Sequence, residues 1–234
     1  MNLSSRLLAE MSGTMLLLSV VVGSGIMGEQ LAQGNTAVAL LANSLATGCG
    51  LYVLISLFAP LSGAHFNPVV TLRAWWRGDL SRASAGGYVL AQIIGGILGV
   101  WLAHLMFDLS VLQTSTKLRT GYGQWIAETV ATFGLVLTIA LAERSRPERI
   151  AALVAAYITA AYWFTASTSF ANPAVTVARS LTDTFAGISP ASVAGFIAAQ
   201  VVGLTLAMFV ADRLLAERKP VGAEVAEECS SRST

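Results

Sequence analysis

The chain has 234 residues, 55% of them hydrophobic and 12% charged, with a formal net charge of +1. A soluble domain carries about 25% charged residues; here the few charges cluster between long apolar runs, the pattern of a polytopic α-helical membrane protein. No basic stripe interleaved with aromatics exists, which excludes a nucleic-acid partner, and two cysteines, Cys49 and Cys229, cannot form a disulfide framework.

A helix needs about 20 mostly apolar residues to cross the hydrocarbon core. Six stretches meet that length: 7–27, 36–58, 83–106, 124–143, 150–168 and 190–214. The first begins like a secretory signal, with Arg6, an apolar run from Met11 to Val22 and then small residues. Glu10 at the head of that run, and a counterpart in the second half of the chain, favour a membrane span over a cleaved peptide. After the second span comes His65-Phe66-Asn67-Pro68-Val69-Val70-Thr71, and after the fifth Phe170-Ala171-Asn172-Pro173-Ala174-Val175-Thr176. Asn is a strong N-cap and Pro suits the first helical position, so each motif starts a short helix. The segments 67–76 and 172–181 are too short to cross and read as re-entrant half-helices. Their N-termini direct free N–H groups and a positive dipole end toward the bilayer midplane. Residues 217–234, with Glu217, Arg218, Lys219, Glu224, Glu227 and Glu228, read as a solvated, disordered tail.

The two halves repeat each other. Glu10-Met-Ser-Gly-Thr14 matches Glu128-Thr-Val-Ala-Thr132, Asn67-Pro-Val-Val-Thr71 matches Asn172-Pro-Ala-Val-Thr176, and Ala91-Gln92-Ile-Ile-Gly95 matches Ala199-Gln200-Val-Val-Gly203. Three spans per half is an odd number, so the halves lie in opposite orientations. With the N-terminus inside, eleven Lys and Arg fall on the cytoplasmic side and three, Lys117, Arg119 and Arg179, outside. That asymmetry puts both termini in the cytoplasm. Small residues four apart, Ala91, Gly95, Gly99 and Ala103 and again Ala191, Gly195, Ala199 and Gly203, allow close helix packing in lipid.

Glu10 and Glu128 are the acids well inside predicted spans. An intramembrane carboxylate suggests a proton relay; the alternative is that each accepts hydrogen bonds from a re-entrant loop, and one per half favours that symmetry. His65 either gates with pH or lines the cytoplasmic vestibule, the reading preferred here; His104 reads as packing. No His, Cys, Asp or Glu cluster has metal-ligand spacing and no nucleophile motif occurs, so neither a metal, a cofactor nor an enzyme activity is expected. An ion-coupled transporter would also use inverted repeats and broken helices, but the midplane here carries two neutral Asn and two Pro.

These motifs resemble the aquaporin (major intrinsic protein) family over about residues 6–214: Ser62-Gly63-Ala64-His65-Phe66-Asn67-Pro68, Asn172-Pro173-Ala174, and a Glu heading each half. The resemblance implies an all-α membrane fold of six spans and two half-helices. The channel domain would cover 1–214, with repeats of about 6–106 and 124–214, and a polar cytoplasmic tail would extend from 215. It also implies a homotetramer in the inner membrane, one pore per monomer, with Asn67 and Asn172 donating amide N–H groups to the solute. The partners are then water, small neutral solutes and the lipid bilayer. Val69 stands where the family usually has Ala. By the family's spacing the outer selectivity filter falls on Thr47, Ala160, Ser169 and Val175. Val175 occupies the place of the usual filter Arg, and Thr176 replaces the Asp of glycerol facilitators. Arg179 lies one turn on and reads as a cation at the C-terminal dipole of the half-helix. Four small, uncharged filter residues predict a wide constriction. A filter with Val for Arg most resembles the aquaglyceroporins of bacterial arsenic-resistance operons, which points to glycerol-sized polyols, arsenite and methylated arsenicals. A water-selective channel is the alternative.

Overall fold

The computed structural model describes residues 2–216. Its helices are α1 (Leu3–Ala32), α2 (Thr36–Ser62), α3 (Pro68–Trp76), α4 (Arg82–Met106), α5 (Tyr122–Ser145), α6 (Ile150–Phe164), α7 (Pro173–Arg179) and α8 (Pro190–Ala216), with a 3-10 turn at Pro147–Arg149. Among the described residues the fold is all-α. The expected tail from 217 onward, with Cys229, lies outside them.

α1, α2, α4, α5 and α8 are long and apolar enough to cross a membrane. α6 has 15 residues and stops at Phe164, four short of the expected end at 168. It stops early because residues 165–172 leave the helix to bring backbone N–H groups to a buried acid. Within that segment Thr168, Ser169 and Ala171 take left-handed φ values of 60, 51 and 47°.

The half-helices form where Asn-Pro predicts. Asn67 caps α3 by accepting from Val69 N at 3.0 Å, and Asn172 caps α7 by accepting from Ala174 N and Val175 N at 2.9 and 3.2 Å. α7 ends at Arg179, slightly before the expected 181. α1 packs on α2 and α4, α5 on α6 and α8, and α2 against α6 joins the halves. Each half-helix also leans on the other half, α3 on α8 and α7 on α4.

Close packing explains the glycine stripe. A Cβ at Gly95 or Gly99 would run into the carbonyl oxygen of Met11 or Met15 on α1, and one at Gly203 into that of Thr129 on α5. Ala191, at the start of the second stripe, is exposed, and the buried face of α8 begins at Ser192 instead. The outer surface is apolar over much of its area, with Leu8, Leu45, Leu57, Leu90 and Phe209 exposed, as a lipid-facing bundle requires.

Candidate functional site

Both re-entrant loops hang from a fully buried glutamate. Glu10 Oε1 accepts from Ser62 Oγ (2.6 Å) and His65 N (3.0 Å), and Oε2 from Phe66 N (2.7 Å) and Gln92 Nε2 (2.8 Å). Glu128 accepts from Phe170 N (2.8 Å), Ala171 N (2.9 Å) and Gln200 Nε2 (2.7 Å). Gln92 and Gln200 also reach the half-helices through Thr71 and Thr176 Oγ1, at 2.9 Å each. Glu10 and Glu128 thus each bind two backbone N–H groups of a loop and one glutamine of a long helix.

The loop backbone is shaped for this. Ala64 and Phe66 have φ of 50 and 49°, and the matched Ser169 and Ala171 have 51 and 47°. A left-handed conformation costs a non-glycine residue roughly 1–2 kcal/mol. The charge-assisted bonds to the glutamates offset it.

At the centre the Asn residues clasp the opposite loops. Asn67 Nδ2 donates to Ala171 O and Asn172 Nδ2 to Phe66 O, both at 2.8 Å. An amide carries two donors, so each Asn keeps one N–H for the lumen that both line.

That lumen is an inner cavity of about 830 Å³ opening on the face that carries the N-terminus. Its lining combines apolar side chains, Leu17, Val21, Leu51, Ile55, Val154 and Ile158, with the polar Asn67, Asn172 and Ser169. His65 lines it too, and its Nδ1 lies 3.1 Å from Thr71 Oγ1. At the mouth Glu143 takes Arg73 in a bidentate pair (2.8 and 2.7 Å) and Arg77 at 2.7 Å. In the sequence these arginines lie 70 and 66 residues from Glu143 and show only as part of the charge asymmetry. Their convergence on Glu143 ties the end of α3 to the last turn of α5 through side chains alone.

Toward the opposite face, Thr47, Ser169 and Val175 line the cavity, and Ala160 does not. Ala160 is exposed on the outer side of α6. Tyr162 takes the lumen position instead, its hydroxyl 3.2 Å from Thr47 Oγ1. Two residues rotate a helix by about 200°, enough to exchange the outer side for the lumen. A phenol therefore lines the cavity where the sequence placed a methyl group. Ser169 Oγ is buried with no protein partner. Val69 is fully buried at the start of α3 and leaves the Asn67 cap intact.

Beyond it lies a vestibule of about 380 Å³ lined by Lys117, Arg119, Arg179, Asn43 and Trp163 among others. Arg119 fixes the loop between α4 and α5 over the pore, donating from Nε to Gly187 O (2.9 Å) and from Nη1 to Ser167 O (3.2 Å). Burial, with Arg119 and Arg179 nearby, holds the Lys117 ammonium below its usual range. His104 is a buried strut between Val111 O (3.0 Å) and Thr182 Oγ1 (2.8 Å). Cys49 is exposed and unpaired.

The family profile described as Major intrinsic protein matches residues 1–168. The chain belongs to that family. It is 51% identical over 220 residues to the Aquaglyceroporin AqpS of Rhizobium meliloti (strain 1021), covering 94% of each chain. It is 34% identical over 137 residues to the Probable aquaporin TIP1-1 of Oryza sativa subsp. japonica, covering 56% of this chain and 54% of that one. Its fold matches the X-ray structure of the aquaglyceroporin from Plasmodium falciparum with a TM-score of 0.71 at 17% identity, covering 90% of this chain and 96% of that one.

Proposed function

We propose that the chain is a passive channel for water, glycerol-sized polyols and neutral metalloid hydroxides such as As(OH)3, with methylated arsenicals as larger cargo. The observation that carries this reading is the mixed lining of the lumen. Apolar side chains such as Leu17 and Ile158 share the lining with Asn67, Asn172 and the unpartnered Ser169 hydroxyl, which suits solutes with a carbon or metalloid body and several oxygens. The 51% identity to an aquaglyceroporin supports it. Polar groups stripped of water without replacement cost a few kcal/mol each, and these side chains supply replacements.

Passive flux distinguishes this reading from an ion-coupled transporter. No carboxylate lines the lumen beside the Asn pair among the described residues; Asp79, Glu143 and Glu148 line its mouth. In proteoliposomes, light scattering after osmotic steps of glycerol and of impermeant solute, with arsenite uptake measured beside it, is expected to show flux that tracks each solute's own gradient. A protonophore should leave that flux unchanged. Its abolition at constant solute gradient would assign the protein to the transporter class, and water flux without glycerol flux would make it water-selective.

The cell (inner) membrane, a homotetrameric assembly and cytoplasmic termini belong to the same proposal. Eleven Lys and Arg on the N-terminal side against three opposite support the orientation. A reporter fused after Thr234 is expected to be cytoplasmic and one inserted near Thr116 external; both reporting one side would contradict the inverted repeat.

A further inference from the structure

The inner cavity and the vestibule meet at one side chain. Among the described residues Arg179 alone lines both. It closes α7 and is 2% exposed, with its guanidinium carbon 3.5 Å from the centre of the Phe170 ring. Its Nε donates to Ala186 O. The terminal nitrogens have no protein acceptor, yet they are not among the sealed, unpartnered atoms of the interior; they look into the gap between the two cavities. No salt bridge among the described residues involves Arg179. Arg119, whose guanidinium lies 5.0 Å from the same ring, is held by the Gly187 and Ser167 carbonyls instead.

We infer that Arg179 supplies the positive, two-pronged donor where the inner cavity meets the vestibule, a role that the uncharged Val175 cannot fill. Helix geometry makes this possible. Residues 175 and 179 share a face of α7, about 6 Å apart along its axis, and a long side chain on a helix leans back toward the N-terminus. The guanidinium thus reaches back from the end of the half-helix toward the level of Val175, and Phe170 holds it there. A planar fork of parallel N–H groups recognises paired oxygens. The class it favours is a neutral solute with oxygens on adjacent atoms or on one centre, whose own O–H groups are accepted by Ser169 Oγ and the Tyr162–Thr47 hydroxyl pair. The unpaired charge repels cations at the same point. This assignment rests on the reading of the lumen as a solute channel.

The test compares wild type, Arg179→Gln and Arg179→Lys in proteoliposomes. It reads water flux, glycerol flux, and proton leak with an entrapped pH dye under a potassium diffusion potential. The Gln variant is expected to raise proton leak relative to water flux by about tenfold or more and to lower the glycerol-to-water ratio. The Lys variant should keep leak low while losing the glycerol preference, because it keeps the charge and loses the fork. All three fluxes of the Gln variant within about twofold of wild type would overturn the assignment. If the Gln variant does not insert as folded protein, Val175→Cys in the otherwise native chain decides, with the background from Cys49 and Cys229 measured on wild type. A sulfonate-bearing thiosulfonate should then modify that cysteine about tenfold faster than its trimethylammonium analogue, and equal or reversed rates would overturn the assignment. Absence of glycerol flux from wild type removes the polyol reading, while the leak and thiol measurements still decide on Arg179.

Discussion

Glu128→Ala is expected to yield no conducting channel and little folded protein. The side chain is fully buried, and its removal strands the N–H groups of Phe170 and Ala171 and the amide of Gln200. Each buried donor left without a partner costs about 1–3 kcal/mol, so the three together consume a large part of a typical net stability of about 5–15 kcal/mol. The loop also loses what offsets its left-handed residues. Glu128→Gln keeps one acceptor but turns an NH2 group toward a donor, and is expected to fall between wild type and Ala. Glu10→Ala should behave like Glu128→Ala, because it strands the matched donors of the first half. Monodisperse recovery in detergent, and then flux per inserted protein, checks this. A conducting, monodisperse Glu128→Ala protein would show that the loop holds itself.

Val175→Arg is expected to cut glycerol and arsenite permeation by about tenfold or more, and water permeation by less. Val175 is buried against the lumen, four residues before Arg179 on the same face of α7. A second guanidinium there fills the space a bulky solute needs and places two like charges side by side. Water, smaller than either solute, tolerates the narrowing better. The measurement is the ratio of solute to water flux, normalised to inserted protein. An unchanged ratio would take residue 175 out of the constriction, and an equal loss of every flux would point to a plugged or misfolded pore.

The features legible in the sequence were local or repeated. Asn-Pro starts a helix from its own side chain and ring, so α3 and α7 could be read directly, and the matched Glu, Asn and Gln exposed the inverted architecture before any contact was known. Partnerships made by packing were hidden. Gln92 and Gln200 stood out only as repeat markers, since nothing in their spacing says that each meets a glutamate 82 or 72 residues away. Counting back from Asn172 reaches Ala160, but the loop that bends toward Glu128 changes the register of α6, and Tyr162 faces the lumen. Arg179 sits near the end of its half-helix as expected, yet the direction of its side chain depends on Phe170, whose ring is set by a neighbouring loop residue with left-handed φ.

The clasp between the two loops also sets an order in time. Asn67 and its acceptor Ala171 are 104 residues apart, and Asn172 and Phe66 are 106 apart. A ribosome adding about 5–20 residues per second needs roughly five to twenty seconds to cover that distance. Throughout that interval the Asn67 amide and the Phe66 carbonyl lack their final partners. A chain halted before residue 171 contains α1 to α6 but cannot finish its own first loop. The centre of the pore comes into being only when the second half arrives to complete the first.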